Sequence, residues 1–194
     1  WAAGDDLFST NFIEINQKFL SENHDYVAST SPTGFADKPI AQQQLVDFTL
    51  DGNNVFDRYI KFFDYCGVSH GIFYSLIRAD VLRGCEILDQ SYFAVDWAIN
   101  LYLVSKGKVH RTLEGYTIFG VEGISRSPDA YKAFRRYAID ILLPFYSLAG
   151  YMNKLDTNFT LSQRTRILFI LTKLNILAGI DQFSRKLSFL FIKN

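Results

Sequence analysis

The segment Trp1-Ala2-Ala3-Gly4-Asp5-Asp6 sets two carboxylates side by side, directly after what reads as the end of a buried strand. Adjacent like charges repel, and the arrangement is easiest to tolerate when a cation is present. Hard divalent ions such as Mg2+ and Mn2+ take oxygen ligands and can bridge to a diphosphate. Gly4 permits a ligand to approach the backbone closely. Two acids ahead of a helix also serve as caps and solvated surface, so the pair by itself leaves both readings open.

A second acid stands in apolar surroundings, Asp96 within Tyr92-Phe93-Ala94-Val95-Asp96-Trp97-Ala98. At the head of a helix it can act as a general base, with its pKa adjusted by partial burial. It equally suits an ordinary first-turn acid favoured by the helix dipole. His70-Gly71 comes just before an apolar run. Gly71 leaves space for a substrate beside the backbone, and His70 can bind an acceptor hydroxyl or a phosphate, or stand solvated. Nothing around His24 and His110 suggests a site.

Other chemistries are not spelled out. There is no nucleophile elbow with a Ser, His and Asp order, no phosphate-binding glycine loop ahead of a helix, and no zinc spacing. Gly120-Val121-Glu122-Gly123 lacks the strand-to-helix context of a dinucleotide fingerprint. Twenty basic and 20 acidic residues cancel, which removes the global field that draws nucleic acid. Cys66 and Cys85 have neither metal-ligand nor disulfide-framework spacing, and fit buried thiols in a reduced, cytosolic setting.

The elements that must hold these residues follow from periodicity. Asn11 is placed to cap a helix whose Glu14 completes a capping box, with Phe12, Ile15, Phe19 and Leu20 on one face. Tyr26-Val27-Ala28 reads as a strand and Ser31-Pro32-Thr33-Gly34 as a loop. Residues 36–50 show no clear period. A second helix starts near Asn53-Asn54, carries Val55, Phe56, Tyr59, Ile60 and Phe63, and ends at Cys66-Gly67. Gly71 to Arg78 reads as a buried strand, Ala79 to Arg83 as one helical turn with Gly84 as its stop. Tyr92 to Ser105 predicts a helix with Phe93, Trp97, Leu101 and Val104 as its stripe. Gly107 ends it, and Val109 to Leu113 returns as a strand.

From Pro128 onward helices dominate, over 128–152 and 161–191, with Pro144 expected to kink the first. The longest uncharged stretch here, Ile141 to Asn153, falls short of the roughly 20 residues that a membrane span needs. No transmembrane anchor is expected. The basic and aromatic run Arg185 to Lys193 suits either a helix packed on the domain or one held in a membrane interface. At 194 residues and 48% hydrophobic content, the chain can bury a sizeable core.

Taken in order, these pieces resemble the second half of a glycosyltransferase with the GT-A fold, most like glycosyltransferase family 2. The matching parts are the Gly before two Asp, and the helix and strand from Asn11 to Thr30. The Gly71-Ile72-Phe73-Tyr74-Ser75-Leu76-Ile77-Arg78-Ala79-Asp80-Val81-Leu82 phrase follows, then Asp96 opening a helix that ends at Lys106-Gly107-Lys108. The likeness covers about residues 1–125. It implies an α/β fold, with a partial GT-A (Rossmann-like) sheet and helices over 1–126 and a mostly α-helical extension over 127–194. It further implies that Asp6 coordinates a divalent metal, Mn2+ or Mg2+, on the diphosphate of a nucleotide-sugar donor. Asp5 would lie near the ribose or the metal shell, and Asp96 would be the base of an inverting transfer. His70, Gly71 and Trp97 would line the acceptor side.

The acceptor would be a glycan, a lipid-linked group or a protein, and the setting cytoplasmic or the cytoplasmic face of a membrane. Two positions depart from the family pattern. Val95 stands where an acid commonly precedes the catalytic Asp, and Phe119 to Ser125 has no His, so that either Glu122 substitutes or that contact is absent. The family's nucleotide-cradling strands come before the acidic motif, so the resemblance predicts a preceding half and a fragment inactive without it. The alternative is a non-catalytic helical interaction module, or a peripheral membrane-associated protein using the C-terminal helices.

Overall fold

The computed structural model describes residues 4–37, 48–65, 71–87, 92–120, 130–155 and 158–192, without the side chains of Ala130 and 185–192. It is a mixed α/β protein that divides into two compact units, one of residues 1–88 and 99–122, the other of 89–98 and 123–194. The expected cut near residue 126 therefore has an exception. Residues 89–98, which carry Asp96 and Trp97, group with the second unit.

Among the described residues, the first unit holds two three-stranded sheets rather than one continuous sheet. The strands are β1 (Leu7–Phe8), β2 (Tyr26–Thr30), β3 (Thr33–Phe35), β4 (Leu76–Ile77), β5 (Lys108–Arg111) and β6 (Thr117–Phe119). One sheet runs β1-β6-β3, antiparallel then parallel, and the other β4-β2-β5, likewise. Helix α1 (Phe12–Glu22) packs on β2. Its Phe12 and Leu20 are buried as the spacing predicts. The expected capping box is absent, because Asn11 at φ −95°, ψ 4° makes no side-chain cap bond.

Asn16, which no apolar pattern reveals, is fully buried on that helix. Its Nδ2 donates to Phe12 O at 2.8 Å and to Ser31 Oγ at 3.2 Å, while Oδ1 accepts from Ser29 Oγ at 2.7 Å. This polar knot ties α1 to the end of β2. Asn16→Ala strands two buried hydroxyls and is expected to cost about 1–3 kcal/mol, read as a lower urea midpoint with an unchanged slope.

Helix α2 (Val55–Asp64) follows its sequence signal closely. Asn54 Oδ1 accepts the Asp57 N–H at 2.9 Å, and Tyr59, Phe62 and Phe63 are buried. Arg58 is buried beside them, donating to Val104 O and Gly52 O, each at 2.7 Å. Burial holds its pKa below the usual guanidinium value.

Three expected elements change. The Ser31 to Gly34 loop becomes β3 from Thr33, because Pro32 O accepts the Thr117 N–H at 2.8 Å and leads the chain into parallel pairing with β6. The Gly71 to Arg78 strand begins instead as a 3-10 turn, Ile72–Tyr74, with only Leu76–Ile77 extended. Gly71 at φ 65° starts that turn, and Ser75 Oγ closes it on Ile72 O at 2.6 Å. After the short turn α3 (Ala79–Arg83), helix α4 (Val95–Lys106) begins three residues later than expected, behind Ala94 at φ 64°. Instead of one stripe, Ala98 through Val104 are all buried. Gly107 ends the helix as predicted, where a Cβ would run into Val27.

In the second unit the expected helix is divided rather than kinked, and Pro144 lies in the gap before its last piece. In place of one helix over 128–152 stand α5 (Ala130–Ala133), a 3-10 turn at Ala138–Ile141 and α6 (Tyr146–Met152). Asp140 is buried at this break, accepting from the Arg136 and Tyr137 N–H groups at 2.9 and 2.7 Å and from Ser147 Oγ at 3.0 Å. Phe93 contacts Tyr131 and Phe145, and Trp97 contacts Phe145, in one aromatic group. Helix α7 (Leu161–Ile192) then runs 32 residues. Its segment Leu161–Ser184 contains an 18-residue window of mean hydropathy 1.4, and is long and apolar enough to cross a membrane by length and composition alone. Lys173 and Asp181 interrupt its apolar runs.

Candidate functional site

The acidic pair is positioned by strand pairing. Leu7 faces Ile118 and Phe8 faces Thr117 in antiparallel register, so continuing outward brings Asp6 and Asp5 to the end of β6 at Phe119 and Gly120. Asp6 Oδ1 accepts the Gly120 N–H at 3.1 Å. The Asp5 carboxylate lies against Gly120 where a Cβ would stand, so no larger residue fits there without displacing it. Both carboxylates thus converge on a single glycine. Among the described residues, nothing lies within 4 Å of the Cβ direction at Gly4.

The two acids differ in surroundings. Asp5 is exposed, whereas Asp6 is half-buried and its Oδ2 is sealed from solvent with no hydrogen-bond donor among the described residues. A buried carboxylate oxygen without a donor is costly. A cation removes that cost. No group of three or more His, Cys, Asp or Glu gathers among the described residues. Mg2+-type sites do not need one, because one or two carboxylates and substrate phosphates supply their oxygens. Asp5 and Asp6 have the hard oxygen donors that such an ion takes.

Asp96 sits in the first turn of α4, two residues after Ala94. An alanine in the left-handed region is strained by about 1 kcal/mol or more. That kink fixes where the helix starts and hence where the carboxylate stands. The side chain reaches solvent. Protein crowded around the carboxyl nevertheless desolvates it and raises its pKa, against its own N–H and that of Trp97, which lower it. Water contact keeps this cost below that of a sealed carboxylate. A carboxylate accessible to a reactant and more basic than usual has the two properties that a general base needs.

Gly71 is buried in the first unit, and Thr30 Oγ1 donates to its carbonyl at 3.4 Å. The space its missing side chain leaves is taken by the Thr33 methyl, so its positive φ and close packing explain the glycine. His70 and Glu122, like Trp1 to Ala3 and Cys66, lie outside the described residues. Cys85 is buried, and burial pushes its thiol pKa up, as for a packed rather than reactive cysteine. The structure thus brings Asp5, Asp6 and Gly120 together in the first unit, and Asp96 with Trp97 in the second.

Gly120 is the site residue that sequence reasoning passed over. Its one signal was a glycine placed directly after the short apolar run Thr117-Ile118-Phe119.

No protein-family model matches the chain, and the searches of curated proteins and of solved structures return no match.

Proposed function

We propose that the protein takes part in transfer of a sugar from a nucleotide-sugar donor to an acceptor hydroxyl, with a divalent cation and inversion at the anomeric carbon. The observation that carries this reading is the buried Asp6 Oδ2, which lacks a donor beside a second carboxylate on a glycine. The finer architecture it implies is a GT-A-like arrangement, in which the two small sheets are parts of the nucleotide-sugar fold.

Asp6, with Asp5 beside it, would hold Mn2+ or Mg2+. When bound, the ion supplies Lewis-acid neutralisation of the diphosphate charge. Asp96 takes the proton from the acceptor hydroxyl as that oxygen bonds to the anomeric carbon. The bond from the anomeric carbon to the diphosphate oxygen breaks with its electron pair, and the nucleoside diphosphate leaves. Trp97 would offer the acceptor sugar an apolar face. The acceptor is a glycan, lipid-linked or protein hydroxyl, and the setting is the cytoplasm or the cytoplasmic face of a membrane.

The test is release of free nucleoside diphosphate from a panel of nucleotide-sugars by the intact protein. Release is expected with Mn2+ or Mg2+ and is expected to stop on adding EDTA, returning when metal is restored. Release that ignores EDTA would contradict the metal assignment, and no release from any donor would contradict the transfer.

A further inference from the structure

Helix α7 carries two apolar faces, and the fold uses one. Inward, Ile167, Leu171 and Ala178 are buried, Asn175 Oδ1 accepts the Phe145 N–H at 2.9 Å, and Gln182 Nε2 donates to Ile141 O at 3.3 Å. Outward, Leu161 (81% exposed), Leu168 (62%), Phe169 (71%), Ile176 (59%), Ile180 (61%) and Phe183 (66%) face solvent. At about 100° per residue these positions share a sector of about 120°. It extends about 33 Å along the axis.

The two threonine hydroxyls on that sector are already satisfied within the helix. Thr165 Oγ1 donates to Leu161 O and Thr172 Oγ1 to Leu168 O, each at 2.9 Å. Such hydroxyls enter an apolar medium without losing a partner. The charges around the sector have one sign. Arg164, Arg166 and Lys173 are exposed, whereas Asp181, the sole acid between 161 and 184, is half-buried and accepts from Tyr131 OH at 3.0 Å.

We infer that this outer face of α7 seats the protein on an anionic lipid bilayer, with the helix in the plane of the interface. A row of large apolar groups flanked only by cations complements acyl chains beneath anionic headgroups. A second copy docked face to face would set the same cations against one another. The in-plane orientation follows from the inner face, whose bonds to Phe145 and Ile141 a spanning helix would have to leave. Gln182 also fixes the Ile139 to Leu143 segment beside the helix, and there Leu142 is 72% exposed. This inference stands apart from the transfer reaction and does not rest on it.

The test is co-sedimentation of the full chain with phosphatidylcholine vesicles, with and without phosphatidylglycerol. Binding is expected to the anionic vesicles and to weaken with added salt. Ile176→Glu and Phe169→Glu, both solvent-facing, are expected to lower binding by about tenfold or more, with unchanged melting temperature. Lys173→Gln is expected to reduce binding to anionic vesicles alone. Equal binding by the Glu variants, no binding to either vesicle, or a stable dimer in solution that these variants dissociate would overturn the proposal. Protein that stays with the vesicles through an alkaline carbonate wash would overturn its in-plane part.

Discussion

Asp96→Asn in the intact protein is expected to lower turnover by about 100- to 10,000-fold, the range for losing a general base. The fold should not suffer. Crowding around the carboxyl raises its pKa above the ordinary carboxylate value, so the folded protein favours the protonated form. Its stabilising contribution is present below the unfolded pKa and is lost as pH rises through the folded pKa. Above that raised pKa the wild-type protein therefore carries a desolvated charge that the amide does not. The Asp96→Asn variant should melt at the same temperature or higher, and the difference should shrink as the pH falls. Turnover should follow the ionised form, so kcat/KM of the wild type is expected to fall with decreasing pH through that raised value. A variant that melts much earlier and loses activity in proportion would make Asp96 a structural residue instead.

Asp6→Ala is expected to remove transfer by about 100- to 1,000-fold or more, because charge on the leaving diphosphate loses its counterpart. This variant also deletes the acceptor for the Gly120 N–H, so Asp6→Asn is the companion. The amide keeps an oxygen for that bond but removes the negative charge. Both variants should be inactive while Asp6→Asn melts like the wild type. Full turnover by Asp6→Asn would show that the carboxylate holds β6 and nothing more.

The parts of the fold that declared themselves in sequence are those whose signals are local. Helix α2 has its cap, its spacing and its buried face within residues 54–64. Helix α4 and its Gly107 stop were legible, though its start was not, since Ala94 at positive φ has no sequence mark. The Ile72–Tyr74 turn was missed because its residues have strand-like composition, and a glycine conformation together with a serine hydroxyl overrules that preference. Gly120 was missed because its partner, Asp6, lies 114 residues earlier, joined only by the β1–β6 register. Along α7, a period search finds no single stripe, because the buried and exposed apolar sectors lie on different sides of the same helix.

The proposed metal site is tested most directly by the melting temperature of the intact protein with Mn2+ plus uridine or guanosine diphosphate, compared with either component alone. If Asp6 and Asp5 hold an ion that carries the diphosphate, one nucleotide at about 100 times its Kd adds about 2.7 kcal/mol of stability. The wild type should then melt several degrees higher with both components together, and Asp6→Asn should not shift. An unchanged wild type, or an equal shift in Asp6→Asn, would contradict the account.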